Sequence, residues 1–231
     1  MYIQGQTDAG SPMSKMNPWY CEATALYWLW KESKADIVGL EHYRRFFVQG
    51  DRFLGAGGIE TLLRKNDIIL AEHSYSMRSG RYPYVAQSIV IGWEGRKFQA
   101  YKMIYGFLMY LASKKKTYEM AKFIMEDLYD EELFYKCNMF VARKPVLDSW
   151  CSFMFPAIEE YLKHEGIKLD NTNLRLVGYV FEHIFGSWVK WKGLKVHVQD
   201  IKIFNKELTA EENPRLSNMR KMRPDLPHWK G

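Results

Sequence analysis

The sequence predicts a single α/β domain. Short apolar runs bounded by polar turns alternate with longer segments of helical period, as strands and helices do in such folds. No internal repeat and no Pro/Gly/Ser-rich linker divides the middle of the chain. Its 231 residues suffice for one domain with a sizeable core but not for two enzymes.

In chain order, Asn17-Pro18 reads as a helix start, with Asn as N-cap and Pro at the first helical position. The segment on to Lys31 carries Trp19, Tyr20, Tyr27, Trp28 and Trp30, so one buried helix is expected there. Residues 36–40 (DIVGL) and 66–70 (NDIIL) read as inner strands, with a short helix over 57–65 between them. Residues 73–92, rich in Tyr, Ser, Gly and Arg, read as a long loop. From Arg96 to about Tyr129 apolar residues recur at helical spacing, broken at 114–117, which predicts two helices or one bent one. Residues 138–142 (NMFVA) are strand-like, Pro145 opens a helix, 174–189 forms another, and 195–203 (KVHVQDIKI) alternates as a late, half-exposed strand. Met103, Met109, Met120 and Met125 read as core filler.

Composition excludes several classes. With 47% apolar and 26% charged residues the chain is neither disordered nor low-complexity. Aromatics are high at 16%, which suits a core and equally a sugar or base platform. The longest nearly unbroken apolar run, 105–112, falls far short of the roughly 20 residues of a spanning helix. The first seventeen residues lack the basic and apolar regions of a secretory signal, so a cytoplasmic protein is expected. Cys21, Cys137 and Cys151 are odd in number and widely spaced, as buried reduced thiols are. Of the net charge of +6, the segment from Pro214 onward carries +4, from Arg215, Arg220, Lys221, Arg223 and Lys230 against Asp225. The expected organisation is a domain over 1–213 and a basic tail over 214–231, either solvated or in contact with anionic lipid. The nearly neutral body argues against nucleic acid as a partner.

In open α/β sheets ligands bind beyond the carboxyl ends of the strands, which makes the residues just after DIVGL the first candidates. There stands Glu41-His42-Tyr43-Arg44-Arg45-Phe46-Phe47. Two adjacent guanidinium forks at a strand end suit a pyrophosphate, although surface salt bridges would use the same residues. Glu22 lies in an aromatic segment and needs a cationic or hydrogen-bonding partner, for which Arg44 or Arg45 is the natural choice. No Gly-x-Gly-x-x-Gly, Walker, CxxC or HExxH pattern occurs.

The blocks 17–31 (NPWYCEATALYWLWK) and 37–47 (IVGLEHYRRFF), in this order and separation, resemble the paired signature of a bacterial family encoded in capsular and exopolysaccharide gene clusters. Weaker similarity continues at 67–70, at Asn138-Met139-Phe140 and at 175–182 (RLVGYVFE), covering roughly 3–205. That family is regarded as glycosyltransferases with a GT-A-like, Rossmann-related, nucleotide-sugar-binding fold. The resemblance implies transfer of a sugar from a nucleotide-diphosphate donor to a surface polysaccharide (capsule, exopolysaccharide or O-antigen) or its lipid-linked precursor. It places such an enzyme in the cytoplasm, with peripheral contact to the inner face of the membrane through the basic tail. Family members usually carry a further amino-terminal stretch with a first strand beside the base, and this chain begins after it. Either a truncated chain, its fold lacking that strand, or an incomplete donor pocket is expected, and a non-catalytic binding or scaffold protein of the same fold is the rival reading. The family's Gln-Tyr and His segment is eroded at Ala86-Gln87-Ser88 and Gly92.

Glycosyl transfer requires stabilisation of the departing diphosphate and acceptance of the acceptor hydroxyl proton. Many GT-A enzymes meet the first demand with Asp-x-Asp and a divalent metal, and no Asp-x-Asp occurs here. The expectation is that Arg44 and Arg45 replace the metal and that no cofactor is required, with Asp8, His42 and Tyr43 as further donor-binding residues. Asp8 and Glu41 are the carboxylates left for a cation, a poor octahedral site. Arg175, Tyr179 and Glu182 fall at i, i+4 and i+7, one helix face, with Gly178 permitting close approach of a neighbour. Glu182 is the expected general base of an inverting transfer, or else braces Arg175. Glu22, Asn138, Arg175 and Tyr179 are expected to support the site or bind acceptor, Asn138 through a sugar hydroxyl, while His183 packs.

Overall fold

A computed structural model of the chain describes residues 12–42, 44–71, 96–130 and 138–204. A 3-10 turn, Pro12–Met16, leads into α1 (Asn17–Tyr20) and α2 (Ala23–Lys31). Then come β1 (Ile37–Leu40), β2 (Arg45–Gln49), β3 (Arg52–Phe53), α3 (Ala56–Leu63) and β4 (Ile68–Ala71). The helices α4 (Arg96–Ala112) and α5 (Tyr118–Asp130) precede β5 (Phe140–Arg143), and α6 (Lys144–His164) and α7 (Leu176–Trp191) precede β6 (Val196–Gln199) and β7 (Ile201–Ile203).

The apolar runs build the centre. A four-stranded sheet has the order β1-β5-β4-β6, in which β5 is antiparallel to both neighbours and β4 is parallel to β6. Alternation along each strand divides its side chains between two cores. Val38, Leu40, Ile68, Leu70, Phe140 and Ala142 face a large core supplied by α2 and α4 to α7. Ile69, Ala71, Met139 and Val141 face a smaller one with Ile59 and Leu63 of α3, Phe47 of β2 and Leu54. The aromatic excess goes mainly into the large core, where Trp150, Phe155 and Phe181 are almost fully buried and pack on one another. Burial of each such ring is worth roughly 1.5–3 kcal/mol.

Three elements differ from the sequence expectation. The first helix is two helices, because Cys21 between them has φ 49 and ψ −129, a conformation that no α-helix continues through. Of its large aromatics only Tyr20 is buried; Trp19, Tyr27, Trp28 and Trp30 are partly buried, and Ala23, Ala25, Leu26 and Leu29 fill the core with Tyr20. The late strand is also two, since the chain leaves the first sheet at Asp200 and enters a second, β3-β2-β7. There the Asp200 carbonyl accepts the Val48 N–H at 2.9 Å. The strands β2 and β3 occupy a stretch where the sequence suggests only a binding motif. Met103 and Met120 are core residues, whereas Met109 is 59% exposed. The expected break near 114–117 and the helix opened at Pro145 are present. The loop at 73–92, Cys137, Asp8, Tyr43 and the tail lie outside the described residues; Cys21 and Cys151 are free thiols. Among the described residues no helix is long and apolar enough to cross a membrane.

Candidate functional site

The strands β1, β4 and β6 end on the same edge of the sheet, and β5 enters it there. Two residues past Leu40 the chain turns back: His42 bridges to Arg45, and the Arg45 N–H donates to the His42 carbonyl at 3.1 Å. Buried Glu41 holds this turn, its Oε1 accepting the Phe47 N–H at 2.8 Å. That carboxylate thus ties β1 to β2. Arg45 is the first residue of β2 rather than part of the β1 end, and Arg44 stands in the turn just before it.

Against this turn sits the knuckle formed by α1 and α2. The Cys21 N–H donates to the Asn17 carbonyl at 2.9 Å, and the Cys21 carbonyl accepts the Thr24 hydroxyl at 2.9 Å. Asn17 Nδ2 reaches Thr24 Oγ1 at 3.2 Å. Trp19 donates its indole N–H to the Asp170 carbonyl at 2.8 Å, and the Pro18 carbonyl accepts the Arg175 N–H at 2.8 Å. The motif residues around Pro18 thus dock the knuckle onto the entry of α7. Gly178 makes the close approach: a Cβ there would lie 3.0 Å from both Cβ and Sγ of Cys21 and 3.1 Å from the Tyr20 carbonyl oxygen. Cys21, which the sequence marks only as a thiol, is therefore the pivot of the site. Its contact with Gly178 spans most of the chain and leaves no local signal.

The knuckle delivers Glu22 to His42, with Oε1 and Nε2 3.8 Å apart. Burial pushes the Glu22 carboxyl up, and Glu182 adds to the rise while Arg175 and Arg45 oppose it. Arg175 and Arg45 thus act on Glu22 electrostatically, while His42 is the group that stands against it. The His42 imidazole is pushed down to about 4, by burial first and then by Arg45, Arg44 and Arg175. It is a neutral ring at pH 7, facing positive charge. Burial raises the Cys21 thiol to about 11, with Glu22 adding to the rise and the Arg175 guanidinium opposing it.

Arg175 departs from expectation in one respect. It precedes α7 with φ 68, in the left-handed region, so it is not on the helix face with Tyr179 and Glu182. Its guanidinium nevertheless lies 5.8 Å from the centre of the Tyr179 ring and within electrostatic range of Glu182. His183 packs as expected, its Nδ1 2.8 Å from the Tyr179 carbonyl. Asn138 lies just before β5, 3% exposed, with φ 50.

The sheet edge therefore gathers Glu22, His42, Arg44, Arg45, Arg175, Tyr179 and Glu182 from three separate segments. Three guanidinium groups surround a neutral imidazole, with two carboxylates on the knuckle and on α7. Such a site can hold an anion of two or more negative charges and keep a carboxylate beside it. Among the described residues no group of three or more His, Cys, Asp or Glu side chains is set to hold a metal ion.

The family profile described as a domain of unknown function (DUF4422) matches residues 3–193. The structure is similar to the apo structure of the bifunctional glycosyltransferase WbbM, with a TM-score of 0.66 and 22% identity. The match covers 87% of this chain and 39% of that one, so the chain spans well under half of that protein's length. At this identity the likeness shows the fold, a mixed α/β arrangement shared with a glycosyltransferase structure. No curated protein matches the chain.

Proposed function

The chain belongs to the DUF4422 family, and from that premise we propose that it is a glycosyltransferase using a nucleotide-diphosphate sugar. One observation carries the reading: Glu22, His42, Arg45, Arg175 and Glu182, far apart in sequence, share one electrostatic cluster at the carboxyl end of β1. In this reading the GT-A-like fold binds the donor at that edge, and Arg44 and Arg45 take the diphosphate oxygens, with Asp8 and Tyr43 as further donor contacts. Their fixed positive charge stabilises the leaving nucleoside diphosphate as the bond from the anomeric carbon to its phosphate oxygen breaks. A divalent metal is not required.

Glu182 accepts the proton of the acceptor hydroxyl as its oxygen bonds to the anomeric carbon, an inverting displacement. Glu22 turns His42 and the arginines toward the donor, and Arg175 with Tyr179 forms the acceptor side. The acceptor is a surface polysaccharide or its lipid-linked precursor, a reading supported by the family-like motifs. The basic tail of 214–231 would hold a cytoplasmic enzyme against anionic lipid.

A panel of UDP-, GDP- and dTDP-linked sugars, assayed for nucleoside diphosphate release with and without EDTA, tests this. Release from at least one donor, undiminished by EDTA, is expected, and Arg45→Ala should weaken nucleoside diphosphate binding by about 1.5–3 kcal/mol. Binding without any turnover would leave a non-catalytic binding protein; turnover that needs Mn²⁺ or Mg²⁺ would overturn the metal-free diphosphate site.

A further inference from the structure

Asn138 stands apart from every other polar residue at the sheet edge. It is 3% exposed, and neither Nδ2 nor Oδ1 of its side chain has a hydrogen-bond partner. Buried amides are almost always paired, so both halves of this one being unmet is unusual. The backbone is strained as well, with φ 50, a conformation that Asn tolerates better than most side chains but that glycine adopts freely.

Its place in the fold is specific. Phe140 pairs with Leu40 on one side and Leu70 on the other, so Asn138 lies just beyond the ends of β1 and β4. Continuing the antiparallel register sets it opposite His42, at the edge where the arginines and Glu182 meet. A buried amide with a positive φ and no protein partner, at the edge where the arginines gather, is placed to pair with a ligand.

The unmet atoms limit what that is. Nδ2 requires an acceptor and Oδ1 requires a donor. A phosphate or carboxylate only accepts, and would set its charge against Oδ1. An ammonium only donates. A hydroxyl does both, and adjacent ring hydroxyls of a sugar match the spacing of one amide. We propose that Asn138 is the sugar-recognition residue of the site, bonding the ring hydroxyls of the glycosyl group while the arginines hold the diphosphate. This rests on the glycosyltransferase reading and adds to it the residue that selects the sugar.

Calorimetry on the full chain tests it, with UDP, GDP and dTDP, their common sugar conjugates, and monodeoxy analogues of whichever conjugate binds best. The wild type is expected to prefer the parent sugar to at least one deoxy analogue by about 10-fold or more, as a site built to bond a hydroxyl does. Asn138→Gly should bring that ratio to within about twofold and leave nucleoside diphosphate affinity unchanged. Its melting temperature should not fall, because the substitution removes an unpaired amide and suits the positive φ. Asn138→Ala should lose the discrimination in the same way. Retained discrimination in both variants, or an equal loss of affinity for the bare diphosphate, overturns the proposal and leaves the glycosyltransferase reading standing. A wild type that binds no member of the panel overturns both.

Discussion

The two ends of the central sheet are built differently. At the end where β1, β4 and β6 begin, polar groups are closed off in pairs. Lys144 Nζ donates to the Trp30 carbonyl at 2.9 Å and to Asp148, and its backbone N–H donates to the Asp36 carbonyl at 2.8 Å. Asp67 accepts the Lys195 N–H at 2.8 Å and returns its own N–H to the Lys195 carbonyl at 2.8 Å. At the opposite end, where those strands finish, are found all the non-glycine residues of positive φ among the described ones: Cys21, Asn138 and Arg175. There too are a histidine held neutral by burial and by arginines, a carboxyl pushed up by burial, and a buried amide with no partner. Backbone strain and an unpaired amide lie where a ligand can compensate them, while the paired end contributes stability.

Substitutions at the two ends should therefore have opposite signatures. The largest effect is expected from Glu182→Gln, which keeps size and hydrogen-bonding shape but removes basicity. Turnover should fall by about 10²–10⁴-fold with donor affinity near wild type. Near-normal turnover with an intact fold would reject the base, and a much earlier melt would show a residue bracing Arg175.

Next is the response to acid. His42 titrates at about 4 in the fold against about 6.5 when unfolded, so the unfolded chain takes up the proton first. The stability it contributes is complete above about pH 6.5 and is lost as pH falls toward 4. Glu22, displaced upward, acts in the opposite sense, its contribution falling as pH rises above the ordinary carboxyl range. Urea unfolding at pH 7 and 4.5 should show His42→Gln losing roughly 2–3 kcal/mol less on acidification than the wild type. Equal losses would mean that His42 is neither buried nor facing the arginines. The smallest effect belongs to the closed end. Lys144→Met should cost about 1–2 kcal/mol of stability through the lost bonds to Trp30 and Asp148, with turnover of the folded protein unchanged. A fall in turnover without a fall in stability would erase the distinction between the ends.

The sequence discloses the closed end and the interior better than the open end. The inner strands β1, β4 and β5 are legible because each is a short apolar run bounded by polar turns. The helices α4 and α5 are legible from their period and the lysine-rich break between them. The strand β2 is hidden because Phe46, Phe47 and Val48 are all buried, leaving no alternation, and because Arg44 and Arg45 have the look of a motif. The late strand reads as one because nothing local marks Asp200 as the point of transfer between sheets. At the site, the chemistry of Glu22, Arg45, Arg175 and Glu182 is legible from residue type and from position relative to the strand ends. The cause of their meeting is not: Cys21 has no Gly or Pro beside it to announce a break, and its conformation is tied to Gly178 on a distant helix. Arg175 reads as part of the helix because its spacing to Tyr179 and Glu182 fits one face, whereas the Pro18 carbonyl captures its N–H and turns it out.

The most direct test of the difference between the ends is hydrogen exchange of the full chain with and without a saturating nucleotide sugar from the donor panel. Protection is expected over 20–22, 41–42, 44–46, 138–140 and 175–182, with residues 34–37, 66–68 and 143–146 unchanged. Protection confined to the latter segments, or a ligand that binds with no change at the former, would contradict the assignment of the site to the carboxyl end of the sheet.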